Sequence, residues 1–240
     1  MNEYSEQLFT GSKLYFASPR ELNDPFECSP QVFASDQSSE AYRRYLLKEI
    51  KKRGGTRAQA RKHASGQIRS NVHRLDTTYD RVRADMKSAH DRAGLYFLSE
   101  VGDQILMWSH YGDGHRGYCI EFEATDSTLV FRCAQKVVYQ DDYPAIDFSR
   151  RDKYKWAEAA VLTKYTDWSY EKEWRIVYPE KGLKDYPCGM MVSITFGAMM
   201  TEEYKAYVRQ WSSLRPSRPR LKQAKIHGSR YALEIANLSS

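Results

Sequence analysis

Apolar positions recur along this chain with two different periods, and the change of period divides it. From Glu40 to Arg92 the step is helical. Tyr42, Tyr45, Leu46 and Ile50 come at three- and four-residue spacing, and Ile68, Val72, Leu75, Tyr79, Val82 and Met86 carry the same step further. Between the two series Gly54-Gly55 predicts a break, and Thr56 is placed to cap a second helix. Elsewhere short runs rich in aromatic and β-branched residues predict strands. These are Lys13–Ser18 (K-L-Y-F-A-S), Gly94–Ser99 (G-L-Y-F-L-S), Gly117–Glu123, Leu129–Cys133, Lys136–Tyr139, Trp174–Tyr178, Met190–Phe196, Gln223–His227 and Tyr231–Ile235. Short helices fit Glu3–Thr10, Asp103–Tyr111, Tyr154–Thr163 and Glu202–Trp211. The two L-Y-F-x-S runs predict similar places in one sheet. Strands in a run without regular βαβ alternation point to an α+β fold. The expectation is a mainly antiparallel mixed sheet with short helices, in a single domain spanning 1–240 with a basic helical insertion at about 40–92.

Composition narrows the class. With 240 residues, 41% hydrophobic and 13% aromatic, the chain can bury a sizeable core and is not disordered along its whole length. No apolar run approaches the roughly 20 residues that cross a bilayer. The first residues lack both a basic and an apolar stretch of the kind a secretion signal carries, so a soluble, cytoplasmic protein without membrane contact is expected. Cys28, Cys119, Cys133 and Cys188 form no C-x-x-C pair and read as free thiols. The six histidines are scattered, and no metal site is expected. No P-loop and no G-x-G-x-x-G after a strand is present, which argues against the common nucleotide-binding folds.

Charge is unevenly spread. Glu40–Arg92 holds 15 Lys and Arg against 6 Asp and Glu, while the remainder holds 22 against 25, so the whole excess of +6 comes from the helical segment. Arg43, Arg44, Lys51, Lys52 and Arg53 lie in its densest part and are the candidates for contact with nucleic acid or an acidic protein. A solvated face that serves only solubility accounts for the same charges.

Three polar clusters carry the candidate chemistry. Arg20-Glu21-Leu22-Asn23-Asp24-Pro25 follows the first strand. Asn23 and Asp24 before proline either hold a turn or line a pocket as substrate-binding groups. Met107-Trp108-Ser109-His110-Tyr111-Gly112 runs into a glycine-rich turn. There His110 is a candidate acid/base, Tyr111 a catalytic partner, and Trp108 and Ser109 substrate-binding residues; the alternatives are a core role for Trp108 and a structural histidine at His110. In Trp168-Ser169-Tyr170-Glu171-Lys172-Glu173-Trp174-Arg175 a strand beginning at Glu171 would put Glu171, Glu173 and Arg175 on one face. That face is either a salt-bridged strand or an active-site wall in which a carboxylate stabilises positive charge.

Taken in order, L-Y-F-A-S-P-R-E-L-N-D-P-F-E, M-W-S-H-Y-G-D-G-H-R-G-Y-C-I-E-F, W-S-Y-E-K-E-W-R-I and V-S-I-T-F-G resemble Domain of Unknown Function 2971. This is a prokaryotic family without a settled activity, some members of which resemble abortive-infection proteins of phage defence. The family often has a further Y-K-Y strand ahead of the segment matching Asn2–Phe16, which this sequence does not contain. A more distant likeness is to ADP-ribosyltransferases. It implies a middle motif at Ser109/Tyr111, a late glutamate at Glu173, and a first motif that is missing or replaced by Lys13/Tyr15.

Two functions follow as expectations. One is an intracellular effector enzyme of the defence or toxin type acting on NAD or nucleic acid. Glu173 would be its key carboxylate, Arg175 would orient it, and Glu173→Gln would abolish toxicity with folding intact. The other is a non-catalytic module whose basic helices bind nucleic acid or an acidic protein. No cofactor is implied beyond NAD as a substrate.

Overall fold

The computed structural model describes residues 3–33, 44, 47–48, 50–59, 61–62, 84–85, 87–125, 128, 130–147 and 159–238. They fall into two compact units. The first comprises Met1–Glu21, Ala93–Tyr139 and Thr166–Ser240, and the second Leu22–Arg92 and Gln140–Tyr165.

The helices with full bounds are α1 (Glu3–Thr10), α2 (Ile105–His110) and α3 (Glu202–Ser213). The strands up to mid-chain are β1 (Lys13–Phe16), β2 (Gln31–Phe33), β3 (Gly94–Ser99), β4 (Tyr118–Phe122), β5 (Gln135–Lys136), β6 (Val138–Tyr139) and β7 (Ala145–Asp147). Then come β8 (Thr163–Lys164), β9 (Glu173–Tyr178), β10 (Gly182–Asp185), β11 (Met191–Phe196), β12 (Arg220–Ile226) and β13 (Leu233–Asn237). Both helices and mainly antiparallel strands are present, so the fold class is α+β.

In the first unit a four-stranded sheet runs β13-β12-β11-β4, with β11 and β12 parallel and the outer pairs antiparallel. A second sheet, β3-β9-β5, is wholly antiparallel. β1 pairs with β10 and is tied to β3 by the Ala17–Leu95 bridge. The two L-Y-F-x-S runs are therefore neighbours, but each lies in its own sheet and not in one shared sheet as expected. β11 is the most buried strand because Met-Val-Ser-Ile-Thr-Phe alternates little and is covered on both faces. On one side Ile194 and Phe196 join Phe9 of α1, Phe16 of β1, Ile176 of β9 and Val208 of α3 in the main core. Each such side chain contributes about 1.5–3 kcal/mol by leaving water. On the other side a smaller cluster of Trp108, Ala224 and Leu233 seats α2 on the sheet.

The ends of the helices are tied by polar side chains. Thr201 caps α3, its Oγ1 accepting from the backbone N–H of Tyr204. Buried Arg215 donates to the carbonyls of Leu8 and Phe9, at 3.2 and 2.7 Å, and so closes the C-terminal end of α1.

The second unit holds β2 and β7, paired in parallel from Gln31↔Ala145 to Phe33↔Asp147. It also contains a buried Glu27–Lys164 ion pair at 2.9 Å. Residues 44, 47–48 and 50–52 are helical and end at Gly54, whose φ of 77° is open to glycine at little cost. The N–H of Gly54 donates to the carbonyl of Lys51 and that of Gly55 to the carbonyl of Ile50, which is a Schellman closure. Thr56 then begins the next helical stretch in a reciprocal capping box. Its N–H donates to Gln59 Oε1 at 2.8 Å, and the Gln59 N–H donates to Thr56 Oγ1 at 3.2 Å. The break and the cap expected from Gly54-Gly55 and Thr56 are both present. The apolar series from Ile68 to Val82 lies outside the described residues.

Several expected elements differ. Leu129–Cys133 is not a strand, and Phe131–Cys133 forms a 3-10 turn. The Thr128 hydroxyl accepts from the Thr125 N–H and donates to the Thr125 carbonyl, and the Arg132 N–H donates back to Thr128. These local bonds hold the turn against extension. Lys136–Tyr139 is broken into β5 and β6 at buried Val137, whose N–H donates to the Glu173 carbonyl. Of Tyr154–Thr163, residues 159–161 are helical, Thr163 begins β8, and 154–158 lie outside the described residues.

Candidate functional site

The stretch Trp168–Arg175 carries the two carboxylates and the guanidinium expected on one strand face, and the backbone divides it. Thr166–Glu171 winds as a 3-10 turn, Lys172 takes a positive φ of 44°, and β9 starts at Glu173. Period two therefore relates Glu173 to Arg175 and does not reach back to Glu171.

Glu173 and Arg175 form a two-point ion pair. Arg175 Nε donates to Glu173 Oε1 at 2.6 Å and a terminal guanidinium nitrogen donates to Oε2 at 3.2 Å. Both side chains are in the interior, Arg175 wholly so. The guanidinium also lies 5.2 Å from the ring of Phe97, its cross-strand neighbour on β3. The backbone N–H of Glu173 donates to the Tyr139 hydroxyl at 2.8 Å.

Glu171 meets the surface through another residue. Its side chain is buried, and Oε1 accepts a 2.8 Å hydrogen bond from the Tyr111 hydroxyl, while the Tyr111 residue is half exposed. The Glu171 carbonyl accepts from Ser99 Oγ at 2.6 Å, which anchors the turn to the end of β3. Around this pair stand aromatic rings. The His110 imidazole is edge-on to Trp168 at 6.0 Å and to Tyr111 at 6.3 Å, and Trp168 lies 6.1 Å from Tyr170. The chain thus brings His110, Tyr111 and Glu171 together with Trp168, which the third cluster contains but to which the sequence assigns no role. Ser99, Phe97 and Tyr139 were also not singled out. The signal for the first two was in hand, since the second L-Y-F-x-S strand pairs Phe97 with Arg175 and Ser99 with Glu173.

The other candidates lie elsewhere. Trp108 is core, its indole N–H donating to the Gly102 carbonyl at 2.9 Å. Ser109 Oγ donates to the Ile105 carbonyl and lies 3.2 Å from His115 Nε2. Asn23 and Asp24 belong to the second unit. There Asp24 Oδ1 accepts from the Phe26 N–H, the turn-holding role considered for it. Tyr15 of β1 donates to Glu21. Arg44, Lys51, Lys52 and Arg53 are exposed, and Arg43 lies outside the described residues.

The turn from Gly112 to Gly117 positions α2 and its last residues. His115 has a φ of 66°, its ring stacks on Trp108, and its carbonyl accepts from the Met199 N–H at 2.9 Å. The Gly117 carbonyl accepts from the Gly197 N–H at 2.9 Å. The end of β11 is in this way latched to the turn that follows Tyr111.

Two glutamates border the sheets. Glu100 accepts from the Trp174 indole N–H and from Lys136. On β4, Glu121 accepts from Lys222 and from Ser193 Oγ. The hydrogen bond from Lys222, followed by that from Ser193, holds the Glu121 carboxyl below its ordinary value. A lowered folded value means stabilisation that is complete above the unfolded glutamate value of about 4.3 and is lost as pH falls through the folded one. Because Glu121 is exposed, the effect is well under about 1 kcal/mol. Glu121→Gln is expected to flatten the stability profile in that acid window, lowering stability near pH 7 by well under about 1 kcal/mol and leaving it unchanged at pH 3. Urea midpoints measured between pH 3 and pH 7 check this.

Among the described residues no group of three His, Cys, Asp or Glu side chains could hold a metal ion, and no helix is long and apolar enough to cross a membrane.

The span from α2 to β9, which holds His110, Tyr111 and Glu171, is also the span that a family model matches. Residues 107–176 match the family model Protein of unknown function (DUF2971). The DUF2971 match opens at Met107, on the helix that ends in His110 and Tyr111, and closes at Ile176, just past Arg175. The family likeness read from the motifs is shown over this span. No curated protein and no solved structure matches the chain.

Proposed function

We propose that the DUF2971 segment forms a group-transfer site for NAD, and that the chain is an ADP-ribosyltransferase-like effector of the phage-defence or toxin type, working in the cytoplasm. The observation that supports this reading is the Tyr111–Glu171 pair. A carboxylate held in the interior is hydrogen-bonded to the hydroxyl of half-exposed Tyr111, beside a rim of His110 and Trp168. The rim suits stacking of a flat heterocycle such as nicotinamide or adenine. A buried carboxylate suits an electron-poor sugar, since negative charge in a low-dielectric setting stabilises developing positive charge strongly.

In this reaction the bond between the nicotinamide nitrogen and ribose C1′ breaks, and its electron pair leaves with nicotinamide. The positive charge on C1′ and the ring oxygen is stabilised by Glu171, and Tyr111 sets the orientation of that carboxylate. The acceptor oxygen, from water or from a macromolecule, attacks C1′ and gives its proton to His110. Arg175 and Glu173 neutralise one another beneath β9 and hold the strand that follows the turn.

Nicotinamide release from NAD by the purified full chain tests the reading, with water or added nucleic acid as acceptor. Wild type is expected to release nicotinamide. Glu171→Gln, which keeps an acceptor for the Tyr111 hydroxyl, is expected to be slower by about 10²–10³-fold. Tyr111→Phe should lose less. NAD at about 100 times its dissociation constant should add roughly 2.7 kcal/mol of stability. A wild-type chain that neither consumes NAD nor is stabilised by it overturns the proposal.

A further inference from the structure

We propose a second site of a different kind: the helix–turn–helix corner from Lys51 to Lys62 docks onto the phosphate backbone of a nucleic acid. Lys51, Lys52, Arg53, Arg57, Arg61 and Lys62 are all exposed. Among the described residues none of the six is in an ion pair with a carboxylate. Six cations within twelve residues repel one another, and a fold that keeps them together gains when a polyanion neutralises them.

The corner is rigid where the charges sit. The Schellman closure at Gly54 ends one helical stretch directly after Lys51, Lys52 and Arg53. The Thr56–Gln59 capping box begins the next one directly before Arg57, and Arg61 follows four residues on, on the same face. Two interlocking caps fix the angle of the turn, so the cations are carried on a preformed corner, and less ordering entropy is lost on binding.

The chemistry favours nucleic acid over an acidic protein. No large hydrophobic side chain is exposed among the described residues from 44 to 62. A protein interface is centred on buried aromatic and aliphatic anchors, whereas phosphate contacts need only exposed Lys and Arg. Contacts of this kind go to phosphate oxygens, which carry no sequence information directly.

The corner shares no residue with the Tyr111–Glu171 site, and binding is expected whether or not the chain acts on NAD. Fluorescence anisotropy with the full chain tests it, using a labelled 20-base-pair DNA duplex and a labelled single-stranded RNA of equal length. Both arms carry the same phosphate chemistry, and their relative affinities assign the source. Six phosphate contacts predict an affinity that falls about 10³-fold between 50 and 200 mM salt on the duplex. A variant with Lys51, Lys52, Arg53 and Arg57 all changed to Gln is expected to reduce the log–log salt slope on the duplex by about 3–4. A control changes exposed Arg132, Arg218, Lys225 and Arg230 to Gln, removing equal charge from the first unit, and is expected to bind as wild type does. All substituted positions are exposed, and circular dichroism checks that each variant is folded. Equal losses in the two variants, affinity indifferent to salt, or no binding of either probe at 50 mM salt overturns the proposal. Tight salt-resistant binding of an acidic protein with no binding of either nucleic acid would assign the corner to the other class of partner.

Discussion

Glu173→Gln is expected to destabilise the folded chain by about 3–5 kcal/mol, the cost of breaking a buried two-point ion pair by removing one of its charges. The amide can accept one hydrogen bond from Arg175, but it carries no charge, and the Arg175 guanidinium has no exposed surface from which to regain water. Arg175→Met alone should cost a similar amount by taking both guanidinium hydrogen bonds from the buried Glu173 carboxylate. The double change Glu173→Leu with Arg175→Met should recover most of the loss, because two apolar side chains of similar bulk remove both desolvation penalties at once. Urea unfolding followed by tryptophan fluorescence measures all four corners of the cycle. Single losses below about 1 kcal/mol would mean that water reaches the pair and that Glu173 is open to a ligand. Sequence alone suggested that Glu173→Gln would remove function and leave folding intact. The two-point contact from Arg175 is the reason to expect otherwise, and it makes Glu171→Gln the cleaner probe of chemistry.

What the pattern of residues revealed tracks what is local. Glu3–Thr10 and Gly94–Ser99 coincide with their elements, and the breaker and cap at Gly54 and Thr56 act as their chemistry requires. Each depends on neighbours within about one helical turn or on simple alternation. The failures occur where a distant partner or a small side chain decides. Gly182–Asp185 is not among the strands the pattern predicts, yet it is one because β1 supplies its ladder. Gln31–Phe33 and Ala145–Asp147 are three residues each, too short for a period, and become strands by pairing with one another. Leu129–Cys133 has strand-like composition, but Thr128 folds it into a turn. Tyr231–Ile235 slides to Leu233–Asn237 because register is set by Ile226↔Leu233 and not by composition.

The site shows the same division. Its members were visible as polar clusters, and the contact of Tyr111 with Glu171, sixty residues on, was not, since no spacing rule spans that distance. The grouping of Glu171 with Glu173 and Arg175 assumed an unbroken strand. A positive φ at Lys172 undoes that assumption, and a lysine gives no warning of it. Asn23 and Asp24 share a motif with the first strand, but lie beyond the boundary between the two units, which falls between Glu21 and Leu22. The chain passes from one unit to the other within a continuous family-like motif, so sequence order alone could not assign them.

Gly197→Ala is expected to be as damaging as loss of the buried ion pair, although it adds a single methyl group. A Cβ at Gly197 would stand 2.2 Å from the His115 carbonyl oxygen and 2.8 Å from that of Gly117. Both obstacles are backbone, and neither can swing aside as a flexible side chain would. Relief requires that the turn from Gly112 to Gly117 separate from the end of β11, which breaks the bonds from the Gly197 N–H to the Gly117 carbonyl and from the Met199 N–H to the His115 carbonyl. Overpacking of this kind costs about 1–3 kcal/mol or more, and each lost hydrogen bond about 1 kcal/mol besides. The total expected is about 3–5 kcal/mol, read as a lower urea midpoint. The consequence for the site is distinct from that of the ion pair. α2 keeps its seat through Trp108, whereas the turn that follows Tyr111 loses its latch. At temperatures where the variant is still folded, the Tyr111–Glu171 hydrogen bond should therefore weaken. Amide hydrogen exchange is expected to rise at residues 111–117 while β9 stays protected. A variant with wild-type stability and unchanged exchange in that turn would show that the backbone there can yield. It would also show that the close approach of β11 does not set the position of Tyr111.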